Sequence, residues 1–236
     1  SNGGHASAPS KGTPIARLSA FVNEVETHSP FRKKLLPEVS AMFTELAPYA
    51  GFGMKLVFGN VWLFGPVLKA VMPAISAQAG AMLKTTIAFT VQKGSDAYNV
   101  LPQEAYVGAN MRFIPHQGEK ESLEIIKKVA GKYGLETEVL HANDYTPPVD
   151  IHGEAFHLVE QTIADTFPGL PSSPYVMTGA TDAQFYQPIC KSCIRFAPVI
   201  YGPEQMKGMH GLNENIEYNC LPGAVRFYKN LIRAEK

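Results

Sequence analysis

The sequence has no excess of charge of either sign, because 21 Lys and Arg residues balance 21 Asp and Glu residues. Nucleic acids and anionic membranes usually bind proteins with a basic excess, so we expect neither as a partner. The length of 236 residues suits one large domain or two small ones, and a hydrophobic content of 45% is enough to bury a core. Composition alone does not distinguish an enzyme from a binding protein.

Cysteine is scarce, with only Cys190, Cys193 and Cys220 in the chain. A low, odd count argues against a disulfide framework and is compatible with a reducing, cytoplasmic location. Cys190 and Cys193 have the CxxC spacing of metal knuckles and redox proteins, but no second CxxC or CxxH accompanies them. A redox protein is therefore a minor alternative to the simpler interpretation of two small apolar residues.

Long uncharged apolar runs are also missing. Residues 49–83 are the most apolar region, but Lys55 and Lys69 interrupt it and Lys84 follows it. The stretches between these lysines are shorter than the roughly 18 residues that a membrane-spanning helix needs. We therefore expect helices that are buried or covered by a partner.

The first part of the chain alternates between helix and strand patterns. Apolar residues recur at helical spacing after Thr13-Pro14, and residues 121–133 form an amphipathic pattern that Gly134 ends. Between residues 37 and 73, within a helical insert at about residues 30–82, Pro and Gly separate two or three further helices. Besides the start of the chain, three segments favour strands: 83–91, 105–114 and 135–140. The order β-α-(helical insert)-β-β-α-β predicts a ferredoxin-like fold, an antiparallel sheet with helices on one face.

A domain boundary is predicted near residues 144–148, where two prolines block a helix. We therefore divide the chain into a first domain at residues 3–145 and a second at 146–236. In the second domain, helical patterns alternate with short apolar segments at 175–177 and 194–200 that favour strands. This order predicts part of an α/β sheet, and an α+β class for the whole chain.

Four short motifs occur along the chain: GGHASAP at residues 3–9, NVLP at 99–102 with NMR at 110–112, TGATDA at 178–183, and HGLNE at 210–214. In this order they resemble the GGHxSxP, NxxP with (D/N)xR, TGxTDAR and HxxNE segments of the M20 metallopeptidases. The helical insert most resembles that of the carboxypeptidase S-like branch. The resemblance covers nearly the whole chain.

The resemblance implies a zinc-dependent amidohydrolase or peptidase with two zinc ions in its catalytic domain and a smaller lid domain that mediates dimerisation. Residues 3–145 would be the lid, and residues 146–236 the C-terminal part of the catalytic domain. His210 would be a zinc ligand, and His5 would stabilise the oxyanion from the lid. The substrate-binding residues would be Asn99, Arg112, Gly179, Thr181 and Asp182.

Each implied role has a physical basis and a simpler alternative. Neutral imidazole is a good zinc ligand, but His210 could be an ordinary loop residue beside a glycine. An imidazole N–H can stabilise developing negative charge, but His5 could lie in a disordered terminus. An arginine binds a carboxylate with two parallel hydrogen bonds, but Arg112 could be a surface residue and Asn99 a turn residue.

The chain departs from the family pattern in two respects. It contains no HxD and no Glu-Glu dipeptide, the segments that supply the other metal ligands and the general base, and Gln184 stands where the family usually has Arg. One histidine cannot hold a catalytic zinc, since three protein ligands are the usual minimum. We therefore expect a piece of a longer protein that by itself binds no zinc and is inactive.

The substrate implied is a small peptide or an N-acyl amino acid with a free carboxylate. We also expect a homodimer through the lid, in which each partner offers the same surface. The alternative is a dimerisation or protein-interaction module with no catalytic role.

Overall fold

The computed structural model of the protein describes residues 1–179 and 181–235. The fold is mixed, with helices and two small sheets, and at this level it confirms the α+β class. The chain forms two compact units. The first comprises residues 1–36 and 62–147, and the second comprises residues 37–61 and those from 148 onward.

In chain order the elements are β1 (Gly4–His5), α1 (Pro14–Thr27), α2 (Pro37–Leu46), α3 (Phe52–Gly59), α4 (Val61–Ile75), α5 (Ala77–Ala81), β2 (Thr86–Lys93), β3 (Val100–Leu101), β4 (Tyr106–Arg112), α6 (Glu119–Lys132), α7 (Glu154–Thr166), α8 (Ala183–Tyr186), α9 (Pro203–Gly208) and α10 (Leu221–Ala234). Single 3-10 turns occupy Ala47–Tyr49 and Tyr218–Cys220.

The core of the first unit lies between helices α1 and α6 and one face of the β2–β4 pair. Thr13 caps α1 through a 3.4 Å bond from the Ala16 N–H, and Pro14 occupies the first turn, as the sequence predicts. Phe21 and Val25 of α1 pack with Ile126 of α6. Ile87, Phe89, Val107 and Met111 of the sheet are among the partly buried residues that pack against this cluster.

Helix α6 ends in a Schellman motif at the predicted glycine. Gly134 has φ +63°, its N–H donates to Gly131 C=O, and the Leu135 N–H donates to Ala130 C=O. A left-handed residue after the last helical turn satisfies carbonyls that would otherwise lack partners, and glycine adopts that conformation without a steric penalty.

The prediction of a strand at residues 135–140 is wrong, because these residues pair with no strand. Leu135 is tied back to the end of α6, while Val139 and Leu140 are 45% and 89% exposed. In addition, β1 pairs with β3, and β2 pairs with β4 in a separate sheet. The described residues therefore do not form the four-stranded sheet of a ferredoxin-like fold, although their helices and central strands follow the predicted order.

The second unit is built mainly on the packing of α7 against α10. Phe227 is 1% exposed, and its ring centroid lies 4.9 Å from that of Phe196. The Asn230 amide donates to Thr166 Oγ1 at 3.0 Å, which joins the two helices by a side-chain bond. The strands predicted at 175–177 and 194–200 are wrong, because the described residues of this unit contain no strand with which they could pair.

Three helices occupy the region between Pro37 and Ile75, which agrees with the predicted two or three. Among the described residues no single helix has the length and apolar composition to cross a membrane. The broken pair α3 and α4 meets the length and composition criteria only when its two helices are counted together.

Candidate functional site

Two of the motifs lie side by side in the first unit. Strand β1 carries GGH and pairs antiparallel with β3, so that His5 lies opposite Val100 and Gly4 opposite Leu101. The Ala6 N–H also donates to the Asn99 C=O at 3.0 Å. The structure thus brings His5 next to Asn99, although about ninety residues separate them in the sequence.

Glycine is required at the start of this ladder. Gly3 has φ +68°, and a Cβ built there would lie 2.9 Å from Gln103 Cγ and 3.2 Å from the Leu101 carbonyl oxygen. The backbone conformation and the close approach both exclude a larger residue. Gly3 therefore allows the chain to pass β3 closely enough to place His5.

Ser7 determines which nitrogen of His5 carries the proton in the neutral ring. The Ser7 backbone N–H donates to His5 Nδ1 at 3.2 Å, and the Ser7 hydroxyl lies 2.8 Å from the same atom. Because a backbone N–H can only donate, Nδ1 must accept, and the proton of the neutral imidazole lies on Nε2. The exposed ring thus presents an Nε2–H donor, the group that stabilising an oxyanion requires.

Arg112 ends β4 and lies opposite Thr86 of β2. It is exposed, and no carboxylate among the residues the structure describes lies within 4.0 Å of its guanidinium group. The neighbouring Met111 packs against the core, as expected for alternation along a strand. Arg112 is therefore available to an anion, but it belongs to a different sheet from His5, and Asn99 lies in the turn before β3.

The TGATDA segment lies in the second unit, with Ala180 outside the described residues. Gly179 is exposed, and Asp182 precedes the short helix α8 and accepts from the Phe185 N–H through its carbonyl at 3.0 Å. Thr181 accepts from the Gln184 N–H through its carbonyl at 3.2 Å. The backbone of this segment is therefore held by the first turn of α8.

Sequence reasoning missed Arg195, which contacts this segment. Its Nε donates to Thr181 Oγ1 at 3.2 Å. Gln184 stands where the family usually has an arginine, and Arg195 supplies a guanidinium group to the same motif from eleven positions further along the chain. The sequence signal that could have found it is a single charged residue between the apolar Ile194 and Phe196.

His210 lies in an unusual backbone conformation after α9. Its φ is +58°, and Asn213, in the same motif, has φ +61°. Left-handed non-glycine residues cost about 1–3 kcal/mol each and cluster at functional sites. The segment is held by Gln205, whose side chain accepts from the Gly202 N–H at 3.1 Å and donates to Asn215 Oδ1 at 3.1 Å.

The donor set for a metal is incomplete in the described part of the chain. No group of three or more His, Cys, Asp or Glu side chains there is arranged to hold an ion. The imidazole of His210 is exposed on a loop, which suits one ligand position. A zinc site at His210 would need further ligands.

Cys193 of the CxxC pair lacks the lowered thiol pKa of a reactive cysteine. Burial raises the pKa of the Cys193 thiol, and its hydrogen bond with Cys190 raises it further. Reactive cysteines have lowered pKa values, because the thiolate is the nucleophile. All three cysteines are free thiols.

Comparisons with known proteins agree with the motifs. The family model described as Peptidase family M20/M25/M40 matches residues 25–234. Curated relatives include the N-fatty-acyl-amino acid synthase/hydrolase PM20D1 of Xenopus tropicalis, which is 32% identical over 98% of this chain and 45% of its own length. Human PM20D1 is 32% identical over 98% of the chain and 46% of its own length.

More distant relatives are a probable carboxypeptidase S-like 2 of Dictyostelium discoideum and a succinyl-diaminopimelate desuccinylase of Xanthomonas campestris. The first is 25% identical over 98% of this chain and 44% of its own length; the second is 26% identical over 60% of this chain and 36% of its own length. No solved structure matches the chain. The chain spans less than half the length of the first three relatives. With the family model covering most of its residues, the chain belongs to the M20/M25/M40 peptidase family.

Proposed function

We propose that this chain is the substrate-binding and oxyanion-stabilising part of an amidohydrolase that cleaves N-acyl amino acids or small peptides with a free carboxylate. The observation that supports this most directly is the Ser7 N–H to His5 Nδ1 bond, which leaves an Nε2–H donor on the exposed ring of His5. The names of the PM20D1 relatives, which refer to N-fatty-acyl amino acids, favour an N-acyl amino acid over a peptide.

In this proposal His5 donates from Nε2 to the carbonyl oxygen as its negative charge develops. Removal of one such donor typically lowers kcat by about 10²–10³. Asn99 and Arg112 bind the substrate carboxylate, for which the guanidinium group offers two parallel donors. Arg195 orients Thr181, and with it the TGATDA backbone, through the Nε to Oγ1 bond.

His210 is the residue of this chain that we assign to a metal. Two zinc ions, when bound in the longer protein, would polarise the amide carbonyl and supply hydroxide at neutral pH. The left-handed backbone at His210 and the Gln205 contacts hold its loop in one conformation. We expect the 236-residue chain by itself to be inactive and to bind no zinc.

We also propose that the first unit acts as a lid and dimerisation domain. Two observations support this proposal: the order of α1, β2, β4 and α6 along the chain, and the packing of both helices on one face of the β2–β4 pair. A homodimer of the chain at tens of micromolar, measured by light scattering, is the expected result. A monomer at that concentration would contradict this part of the proposal.

The enzymatic proposal is tested in the longer protein, with an N-acyl amino acid as substrate. His5→Ala should lower kcat by about 10²–10³ with little change in KM. Arg112→Ala should raise KM for the free acid but not for the corresponding carboxamide, because only the acid has an anionic group to lose. His141→Ala, an exposed histidine outside the motifs, is the matched control.

Three results would contradict the proposal: normal kcat in His5→Ala, equal KM effects on acid and carboxamide, or turnover by the 236-residue chain alone. The interaction-module alternative predicts no zinc in the longer protein by metal analysis. The enzyme predicts two zinc ions per chain, and fewer after His210→Ala.

A further inference from the structure

The CxxC pair lies in a loop that begins and ends at the TGATDA segment. Thr181 comes just before α8, and Cys190 and Cys193 follow that helix. Two residues later, Arg195 donates from Nε to Thr181 Oγ1 at 3.2 Å. The two cysteines are therefore part of the segment that joins the TGATDA backbone to the side chain that contacts it.

Packing does not explain the presence of two cysteines here. Cysteine is among the residue types that are most often buried, but Cys190 is exposed and Cys193 is only partly buried. Lys191 and Ser192, which lie between them, are exposed as well. Thiols at the surface can be reached by small molecules in solution, so the pair is open to chemical modification.

The backbone around each cysteine is held by hydrogen bonds. The Cys190 N–H donates to the Tyr186 C=O at 2.8 Å, which ties it to the last residue of α8. The Ile194 N–H donates to the Ser192 C=O at 2.9 Å, so Cys193 lies at the centre of a three-residue turn. The relative position of the two cysteines is thus set by the structure around them.

The two thiols contact each other. The Cys193 thiol is hydrogen-bonded to the Cys190 thiol, and its sulfur lies 3.4 Å from the Cys190 carbonyl oxygen. Cysteines that are held far apart cannot be joined without movement of the backbone. Here the side chains are already together, so rotation about their side-chain bonds is enough to join the sulfurs.

We propose that Cys190 and Cys193 form a reversible disulfide by exchange with a small-molecule disulfide, and that this bond restrains the loop between α8 and Arg195. With oxidised glutathione, the exposed Cys190 thiolate attacks one sulfur and releases one glutathione thiolate. The Cys193 thiolate then attacks the Cys190 sulfur of the mixed disulfide and releases the second. The chain gives up two electrons and two protons, and one glutathione disulfide becomes two glutathione thiols.

The surroundings of Cys193 predict that the second step is slow at neutral pH. Burial, and then the hydrogen bond with Cys190, raise the pKa of the Cys193 thiol, while the charge of Arg195 lowers it by a smaller amount. Because only the thiolate attacks, the loss of glutathione from the mixed disulfide should accelerate about tenfold from pH 7 to pH 8. A thiol–disulfide oxidoreductase, whose thiol pKa is lowered, would show little acceleration.

The disulfide should also affect α8. It fixes the distance between Cys190 and the turn just before Arg195, and a cross-link reduces the number of conformations open to the chain that it closes. The Gln184 and Phe185 N–H groups donate within the first turn of α8. Their hydrogen exchange should slow about threefold in the oxidised chain. These measurements do not depend on the proposed function.

Mass spectrometry of the 236-residue chain tests for the bond. After incubation with oxidised glutathione, the mass should fall by about 2 Da, because two thiol hydrogens are lost. The thiols that react with DTNB in urea should fall from all three cysteines to Cys220 alone. Dithiothreitol should reverse both changes.

Trypsin can locate the bond, because it cleaves after Lys191, between the two cysteines, and again after Arg195. The peptide of residues 192–195 then stays attached to the peptide that ends at Lys191 only if a disulfide joins Cys190 to Cys193. Reduction should release it.

Three serine variants separate the roles of the cysteines. Cys193→Ser should stop at the mixed disulfide, with a gain of about 305 Da, and Cys190→Ser should form no internal disulfide. Cys220→Ser is the matched control, since it removes the cysteine outside the pair and should still lose about 2 Da. Far-UV circular dichroism checks that each variant is folded.

Several results would overturn the proposal. One is a wild-type chain that keeps three reactive thiols or stops at the mixed disulfide, which would show that Cys193 does not reach Cys190. Another is a disulfide that Cys220→Ser abolishes, which would assign the bond to a different pair. Unchanged exchange at Gln184 and Phe185 would refute the restraint of the loop. If the longer protein is not oxidised under the same conditions, the rest of that protein covers the pair and the proposal is also wrong.

Discussion

A buried polar network connects the start of β2 to the start of α6 in the first unit. The Thr85 hydroxyl donates to the Gln117 C=O at 2.8 Å, and the Ser122 hydroxyl donates to the same carbonyl at 3.0 Å. Thr85 and Ser122 are fully buried, and Gln117 is 1% exposed. The network anchors the end of β2 at which Thr86 pairs with Arg112.

Removing the two hydroxyls separately and together gives a prediction with a definite sign. Thr85→Val and Ser122→Ala each remove one hydrogen bond to the carbonyl, and both remove the longer 3.3 Å bond from the Ser122 hydroxyl to Thr85 Oγ1. Because the remaining hydroxyl still serves the carbonyl, each variant should lose about 1 kcal/mol of unfolding free energy. The double variant leaves the buried carbonyl with neither hydroxyl, which adds about 1–3 kcal/mol. Its total loss should therefore be about 3–5 kcal/mol, more than the sum of the single losses.

Urea unfolding followed by far-UV circular dichroism measures these losses. The comparison requires that the slope of the unfolding free energy against urea concentration is the same in all variants. Thr137→Val, at an exposed position of the same unit, is the control and should change stability by less than about 0.5 kcal/mol. If the two single effects add to within about 0.5 kcal/mol in the double variant, the shared carbonyl is not the link between them. That result would refute the reasoning.

Three further predictions follow from other parts of the structure. Phe227→Ala should cost about 3–5 kcal/mol because its side chain is 1% exposed, whereas Ile232→Ala on the exposed side of α10 should cost much less by the same unfolding assay. The hydrogen bond from Lys132 lowers the pKa of Glu24. The pair therefore stabilises the fold at pH values above the ordinary pKa of a glutamate, and this stabilisation is lost as the pH falls through the lowered pKa. Glu24→Gln should therefore flatten the acid side of the stability profile, and an unchanged profile would contradict the pairing. His210→Gly should be about 1 kcal/mol more stable than His210→Ala, because only glycine adopts φ +58° without strain, and equal stabilities would show that the loop relaxes.

Much of the local structure could be predicted because it depends on residues close together in the sequence. Thr13-Pro14 begins α1, Gly134 ends α6, and both features are encoded within one helical turn. The strand at 135–140 could not be predicted correctly, because a strand also needs a partner and apolar residues alone do not show that one is present. The same holds for residues 175–177 and 194–200.

In the candidate site, too, the sequence predicted local features but not contacts between distant residues. The four motifs are visible in the sequence and indicate the family, but they do not show that His5 lies beside Asn99 or that Ser7 leaves the proton of the neutral ring on Nε2. Arg195 escaped notice because its contact with Thr181 depends on the path of the chain between them.

The sequence by itself determined the family, the start of α1, the end of α6 and the residue types available for the chemistry, because each of these is a property of short segments. Only the tertiary structure decided which strands pair, which motifs become neighbours and which cysteines are exposed. The physical reason is that pairing and burial depend on contacts between distant residues, whose free energy no local pattern contains.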